Sequence, residues 1–148
     1  MKKILVLALA VVMVLGVVAF AACAQPQTVT GECKYDNYGH TYGAKVDVTV
    51  LNGVITSVKL YTEEETGWVR TSADNPDYGW TSHDAVEAAY EGFLKQFEGK
   101  PVEEVKAYVA TATAEAQTVG EGVPSITGGT QSAARIIVAI QDALSKLA

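Results

Sequence analysis

The dipeptide Asn52-Gly53 constrains the fold of this chain most strongly, because it separates two runs of alternating hydrophobic and polar residues, Val46–Val50 and Val54–Tyr61. Alternation with a period of two is typical of a β-strand. Asn-Gly is the preferred pair for a two-residue hairpin turn, in which both residues have positive φ angles. The sequence therefore predicts an antiparallel β-hairpin over residues 46–61.

Strands come first along the chain. We expect another strand at Val29–Tyr35, followed by a loop at Asp36–Ala44, where glycine and asparagine are frequent. After the hairpin, Glu63–Gly79 is polar and contains Gly67 and Pro76. This composition predicts a long excursion that begins with a solvated acidic run, Glu63-Glu64-Glu65.

Helices follow the strands. From Ser82 onward, hydrophobic residues recur at helical spacing, with Ser82 or Asp84 as the cap and Gly99 as the stop. Proline favours the first turn of a helix, so a second short helix is predicted over Pro101–Tyr108. The next segment, Val109–Thr118, fits either a helix or a strand.

The carboxyl-terminal part consists of a glycine-rich loop, Gly120–Gly129, and a predicted amphipathic helix, Thr130–Leu147. The apolar face of this helix is formed by Ala133, Ile136, Ile137, Ile140, Leu144 and Leu147. Strands followed by helices predict an α+β domain, with an antiparallel sheet and helices packed on it.

The amino terminus has the order of a secretory signal: Lys2 and Lys3, then an apolar stretch, then small residues that lead into Cys23. The length of the apolar stretch also fits a membrane-spanning helix. A polar segment follows Cys23, whereas a membrane-spanning helix is usually followed by charge. The sequence therefore favours a cleaved signal.

The end of this signal resembles a bacterial lipobox. The resemblance implies a signal peptide over residues 1–22, lipid attached to Cys23, a lipidated tether over residues 23–28 and a domain over residues 29–148. Two or more acyl chains on Cys23 anchor a protein stably, since one chain binds only marginally. We therefore expect a lipid-anchored protein on the extracytoplasmic face of the cell membrane.

The charge of the chain excludes some partners. The chain has 148 residues, with 11 basic and 17 acidic side chains and a net charge of −6. Residues 1–22 contain two of the lysines and no acid, so the mature chain has a net charge of −8. Nucleic acid is not expected as a partner, because it requires a basic surface.

Cysteine and histidine are too few and too scattered for a metal site, so none is predicted. Once Cys23 carries lipid, Cys33 has no partner for an internal disulfide. We interpret Cys33 as a small, half-buried strand residue rather than a reactive thiol. His40 and His83 are expected to be exposed or capping.

The start of the last helix is the candidate site. A helix start presents unpaired N–H groups and the positive end of the helix dipole, which suits a phosphate. Gly128 and Gly129 allow close approach of the chain, and Thr130 at the cap offers a hydroxyl. The same Gly-Gly-Thr sequence also fits an ordinary turn with an N-cap.

Three segments together resemble a known family. They are Glu65-Thr66-Gly67 after the hairpin, Phe93–Lys100, and Thr127–Ala133 ahead of the last helix. The chain resembles the FMN-binding domain from about Val29 to Leu147. This domain occurs in the sodium-translocating NADH:quinone reductase, as part of one of its flavinylated subunits, and in many small bacterial lipoproteins.

The resemblance implies that a flavin transferase esterifies Thr130 to the phosphate of FMN. Thr127 then takes the first position of the family motif, and Ser132 matches a frequent hydroxyl residue two places after the modified threonine. The cofactor-binding residues implied in this way are Thr127, Gly128, Gly129, Thr130, Gln131 and Ser132.

Two residues depart from the family pattern. Gly129 stands where the family usually has alanine, and Pro124 stands where it often has aspartate. Glu121 could supply the missing carboxylate.

Other side chains are candidates for contact with the flavin ring, since such a ring needs a flat, partly apolar surface. Arg135 could reach the phosphate or the ring, although a surface role is favoured. One or two aromatic residues are expected to stack on the ring, from a set comprising Tyr35, Tyr38, Tyr42, Trp68, Tyr78 and Trp80.

The expected function is that of an extracytoplasmic electron carrier with covalent FMN, because the cofactor supplies the redox chemistry and no acid, base and nucleophile are assembled. Its partners would be the flavin transferase, the membrane, and membrane or extracellular redox proteins. The alternatives are a lipoprotein that binds flavin or another ligand noncovalently, an interaction module without redox activity, and a flavin-dependent reductase.

Overall fold

The computed structural model describes residues 25–37, 39–69, 83–124, 126 and 129–147. The predicted signal peptide, residues 1–22, and Cys23 lie outside these residues. Within the described part, no helix has the length and apolar character needed to cross a membrane. The elements are β1 (Gln27–Asn37), β2 (His40–Leu51), β3 (Val54–Leu60), α1 (Glu63–Thr66), α2 (His83–Leu94), α3 (Val102–Val109) and α4 (Thr130–Ser145).

The strands form one antiparallel sheet in the order β1-β2-β3, and helices pack on it, so the predicted α+β class is confirmed. The β2–β3 hairpin turns at Asn52 and Gly53, whose φ angles are 52° and 75°. Two positive φ angles are what a type I′ turn requires. Along β2, Val46 and Val48 are buried, while Asp47 between them is only half-buried.

The predicted loop at Asp36–Ala44 is wrong. β1 continues to Asn37, β2 begins at His40, and these two residues are paired across the hairpin. Gly39, with a φ angle of 79°, makes the turn. The other described residues of the segment join the ladder, because cross-strand pairing outweighs their weak preference for strands. β1 also begins earlier than expected, so Gln27 and Thr28 of the predicted tether belong to the strand.

Helix α4 covers one face of the sheet and runs antiparallel to β1. Lys146 Nζ donates to Thr30 O at 2.8 Å, and Glu32 N donates to Asp142 Oδ2 at 2.8 Å. These bonds also occupy backbone groups on the outer edge of β1, which would otherwise be open to another strand. The predicted apolar face of α4 is buried from Ala133 to Leu144, and Leu147 packs against it while partly exposed.

Gly31 allows β1 and α4 to touch. A Cβ atom at this position would lie 1.9 Å from Ala139 O and 2.5 Å from Ala143 N. Small residues on both sides therefore let the backbone of the strand lie directly against the helix.

Helices α2 and α3 close the core at the β3 side. A 3₁₀ turn, Lys95–Phe97, follows α2, and the chain then turns at Gly99, whose φ angle is 80°. Pro101 is the N-cap of α3, as expected for proline at a helix start. The segment Val109–Thr118 forms neither a helix nor a strand of its own, because Val109 ends α3 and the chain after it forms turns with an isolated bridge between Thr113 and Thr118.

The acidic run after β3 is more ordered than predicted. Its three glutamates lie in the short helix α1, where Glu65 and Thr62 form a reciprocal capping box. Glu65 also forms an ion pair with Lys59 at 3.1 Å. The rest of the predicted excursion, from residue 70 to Gly79, lies outside the described residues, as does the predicted cap Ser82.

Candidate functional site

The N-cap of the last helix, α4, lies one residue earlier than the sequence predicts, at Gly129 instead of Thr130. Gly129 is the N-cap, with φ −123° and ψ 19°, and Thr130 is the first helical residue. Gly129 O accepts a hydrogen bond from Ala133 N at 2.8 Å, and Gly129 N donates to Ile126 O at 3.0 Å. Glycine fills the N-cap position because it is tolerated there nearly as well as a hydroxyl residue. Thr127 and Gly128 lie outside the described residues.

The first turn of α4 has one open side. Gly129 and Ser132 are buried, whereas Gln131 is exposed. The first N–H groups of any α-helix have no acceptor within the helix, and the helix dipole adds partial positive charge at this end. This start of α4 therefore combines anion-binding character with access from solvent on the Gln131 side.

Arg135 lies one turn further along α4, and its predicted surface role is wrong. The side chain is 6% exposed, because this side of the helix faces the β1–β2 hairpin. Arg135 Nη2 donates a hydrogen bond to Tyr35 Oη. The guanidinium carbon lies 5.1 Å from the ring centroid of Tyr35 and 5.8 Å from that of Tyr42. We refer to Tyr35, Tyr42 and Arg135 as the aromatic clamp.

The two tyrosines of the aromatic clamp are paired across the hairpin. Their rings are stacked, with centroids 5.7 Å apart and planes inclined by 17°. A sequence signal for this pair exists: a turn at Gly39 brings Tyr35 opposite Tyr42. That signal was missed because the whole of Asp36–Ala44 was assigned to a loop.

The aromatic clamp lies at the end of the sheet where α4 begins. β1 and α4 are antiparallel, with Thr30 beside Lys146, Glu32 beside Asp142 and Tyr35 beside Arg135. Helical side chains lean toward the helix amino terminus. The guanidinium group of Arg135 therefore leans toward the amino-terminal end of α4.

The other candidate aromatics are not part of the aromatic clamp. Trp68 lies beside Lys34, whose Nζ is 5.1 Å from a ring centroid of Trp68. Successive strand residues point to opposite faces, so Lys34 and Tyr35 are on different sides of the sheet. Tyr38, Tyr78 and Trp80 lie outside the described residues.

Several other residues were singled out in the sequence, and the structure describes most of them. Cys33 is half-buried in β1, as predicted, and burial raises the pKa of its thiol even though Arg135 opposes the shift. His40 is exposed, with its ring edge toward Tyr42, and nothing is described of the side chain of His83. Glu121 is exposed at a turn, where its N–H donates to Thr111 Oγ1.

The opposite face of the sheet carries a polar network that sequence reasoning missed. Asp47 accepts hydrogen bonds from Thr30 Oγ1 at 2.6 Å and from Tyr61 Oη at 2.9 Å. The bond to Asp47 raises the pKa of Tyr61. Lys45 and Lys59 lie over the ring of Tyr61, at 5.3 Å and 4.5 Å from its centroid. These side chains satisfy one another, which is typical of a structural network.

No protein-family model matches the chain, and no curated protein or solved structure matches it. The resemblance to the FMN-binding domain therefore stays a prediction from the sequence motifs.

Proposed function

We propose that this protein is a membrane-anchored, extracytoplasmic flavoprotein that carries electrons through FMN attached to Thr130. The observation that carries the proposal is the position of Thr130 as the first residue of α4, after a glycine N-cap. An ordinary capping threonine occupies the N-cap itself. Since Gly129 fills that position, an N-cap role does not account for the threonine, and we assign Thr130 to the phosphate ester instead.

The residues around this point fit FMN. The helix start suits a phosphate because the first N–H groups of a helix have no acceptor within the helix and its dipole is positive at this end. The aromatic clamp offers stacked rings and a positive charge one turn further along α4. Gln131 is exposed, which leaves an open side for the ligand. A phosphate site and an aromatic surface next to each other match the two ends of a flavin nucleotide.

The chain and the cofactor would divide the work. Bound FMN supplies the electron-accepting ring, while the protein supplies attachment, orientation and charge. Attachment would join Thr130 Oγ1 to the phosphorus of the FMN part of a flavin dinucleotide, while the pyrophosphate bond of that donor breaks, the nucleoside monophosphate leaves and the hydroxyl proton passes to solvent. A flavin transferase makes this bond. We assign no residue as a general acid, base or nucleophile, so the protein acts as a carrier between redox partners.

The proposed anchor and the proposed site lie at opposite ends of β1. The strand begins at Gln27, four residues after Cys23, and its far end carries Tyr35. Nine strand residues, from Gln27 to Tyr35, span about 26 Å at about 3.3 Å for each step. A lipid on Cys23 therefore holds the protein by the end of the strand that is remote from the flavin, which leaves the flavin end free for redox partners.

In-gel flavin fluorescence tests this function. The full chain is co-expressed with a flavin transferase, denatured and separated on a gel, where only covalent flavin survives. We expect fluorescence from the wild-type chain and none from Thr130→Val, which keeps the side-chain volume but lacks the hydroxyl. Thr113→Val, at an exposed position in a different turn, is the matched control and should stay fluorescent. Equal fluorescence of the wild type and Thr130→Val would contradict the assignment.

A second candidate function is noncovalent binding of flavin. The aromatic clamp favours it, because stacking and charge do not require a covalent bond. In that case flavin copurifies with the native protein, and the gel band is dark.

A further inference from the structure

Tyr35 presents a fixed aromatic face. Among the described residues, Tyr35 is the one large hydrophobic residue that is exposed, with 39% of its surface accessible to solvent. Its ring is stacked on that of Tyr42, and its hydroxyl is held by Arg135. A side chain that is already ordered loses little conformational freedom when a ligand covers it. The exposed part of Tyr35 is therefore pre-organised for a flat partner.

Arg135 adds a charge beneath this face. Its guanidinium group is buried and lies against both tyrosine rings, contacts that suit its planar, weakly hydrated cation. A charge in such a setting acts through a lower effective dielectric constant than a surface charge does. The fixed aromatic face therefore lies in a positive field, which favours an anionic or electron-accepting ring system over a neutral aliphatic ligand.

The rise along α4 between Thr130 and Arg135 is compatible with one FMN that is attached at Thr130 and places its ring at the aromatic clamp. Arg135 is five residues beyond Thr130, about 7.5 Å along the helix axis at about 1.5 Å for each residue. In FMN, the ribityl chain separates the phosphate from the isoalloxazine ring. A phosphate at Thr130 therefore leaves the ring displaced from the helix start, and the displacement that the proposal requires includes this rise along α4.

We propose that Tyr35, backed by Tyr42, is the platform on which the isoalloxazine ring stacks, and that Arg135 is the positioning residue that holds this platform. The inference rests on the proposed function, since it takes FMN as the occupant. It assigns a ring-binding role to the β1–β2 hairpin, which lies outside the attachment motif.

Flavin fluorescence tests the stacking directly. A tyrosine stacked on an isoalloxazine ring quenches its fluorescence, because the phenol ring donates an electron to the excited flavin. In the loaded full chain we expect weak native fluorescence that rises on denaturation. Tyr35→Leu should lose most of this quenching. The side chain is partly exposed, so the variant is expected to fold.

Tyr61→Leu is the matched control. Tyr61 is also a strand-end tyrosine in contact with cations, but it lies on the opposite face of the sheet from α4. The control should keep the wild-type quenching. The platform is refuted if Tyr35→Leu keeps the quenching, or if both variants lose it equally.

Two further variants test the positioning role of Arg135. Tyr35→Phe keeps the ring but removes the hydroxyl that Arg135 holds. Quenching of the flavin should therefore be weaker, and its fluorescence lifetimes should be more widely distributed. Arg135→Met should reduce quenching and lower the midpoint potential of the flavin, while Arg135→Lys, which keeps the charge, should restore the potential in part. An unchanged potential and lifetime in Arg135→Met would overturn the positioning role.

The platform and the proposed function can fail separately. Covalent loading is read from the denaturing gel, and stacking is read from native fluorescence. If the wild-type chain carries no covalent flavin, the proposed attachment is wrong, and free FMN is then added to the unloaded chain. Quenching of free FMN by the wild type but not by Tyr35→Leu would support the platform without attachment, and no quenching by either would overturn it.

Discussion

The contact between β1 and α4 is the most sensitive point of the fold, and Gly31→Ala tests it. A Cβ atom at residue 31 would lie 1.9 Å from Ala139 O, whereas ordinary contact begins at 3.4 Å, so the strand and helix must separate by about 1.5 Å. Overpacking of this kind typically costs about 1–3 kcal/mol, and the atom in the way is backbone rather than a movable side chain. The variant therefore cannot relieve the clash by a rotamer change.

Separation of β1 from α4 also lengthens the two bonds beside it, Glu32 N to Asp142 Oδ2 and Lys146 Nζ to Thr30 O. Each such bond contributes about 1 kcal/mol. Together with the overpacking, we expect Gly31→Ala to lower the free energy of unfolding by about 3–5 kcal/mol. This is a large part of the roughly 5–15 kcal/mol that holds a domain folded.

Urea unfolding of the full chain in detergent, followed by circular dichroism, measures this loss. Gly92→Ala is the matched control, because Gly92 lies in helix α2 and a Cβ atom there would meet nothing within 4 Å. That variant should gain about 0.5–1 kcal/mol from helix propensity. A loss below about 1 kcal/mol in Gly31→Ala would refute the close packing of strand on helix, since it is the lower limit for overpacking.

Three further predictions concern the anchor, the motif and acid stability. Cys23→Ala should abolish labelling with a radioactive fatty acid, and persistent labelling would exclude Cys23 as the lipid site. Gly129→Ala should raise flavin loading measured by gel fluorescence, because a φ angle of −123° is open to alanine. The free energy of unfolding of this variant should change by less than about 1 kcal/mol, since the stiffer unfolded chain is offset by a poorer N-cap. Loss of loading in a folded Gly129→Ala would show that glycine is required. Burial raises the pKa of Asp142, but hydrogen bonds from Lys146 Nζ and Glu32 N outweigh it, and the pKa is lowered. Because the pKa of Asp142 is lowered, its carboxylate stabilises the fold at pH values above the unfolded pKa of about 3.9, and this contribution disappears as the pH falls through the folded pKa. In urea titrations below about pH 5, Asp142→Asn should therefore lose less stability than the wild type. An equal loss of stability in acid for both proteins would contradict this.

The sequence predicted the elements whose signal is local. The Asn52-Gly53 hairpin follows from turn chemistry and alternation, both of which act within a few residues, and the structure confirms it. The apolar face of α4 follows from helical periodicity and is buried as expected. In these cases the local preference and the tertiary contacts favour the same conformation.

The errors occurred where long-range contacts decide. Residues around Gly39 have weak strand preference, yet pairing with β1 makes most of them strand residues. Arg135 interrupts an apolar face and was assigned to the surface. Its burial depends on Tyr35, 100 residues away in the chain, and no local pattern in the sequence reports that partner.

The most direct test of the central claim is the position of the flavin in the chain. The full chain co-expressed with a flavin transferase is digested, and its peptides are analysed by mass spectrometry. We predict that one peptide, containing Thr130, carries the mass of one FMN less one water, with fragmentation placing the added mass on Thr130. Flavin on any other residue, or a Thr130 peptide that stays unmodified while the transferase labels a known substrate in the same cells, would contradict the account.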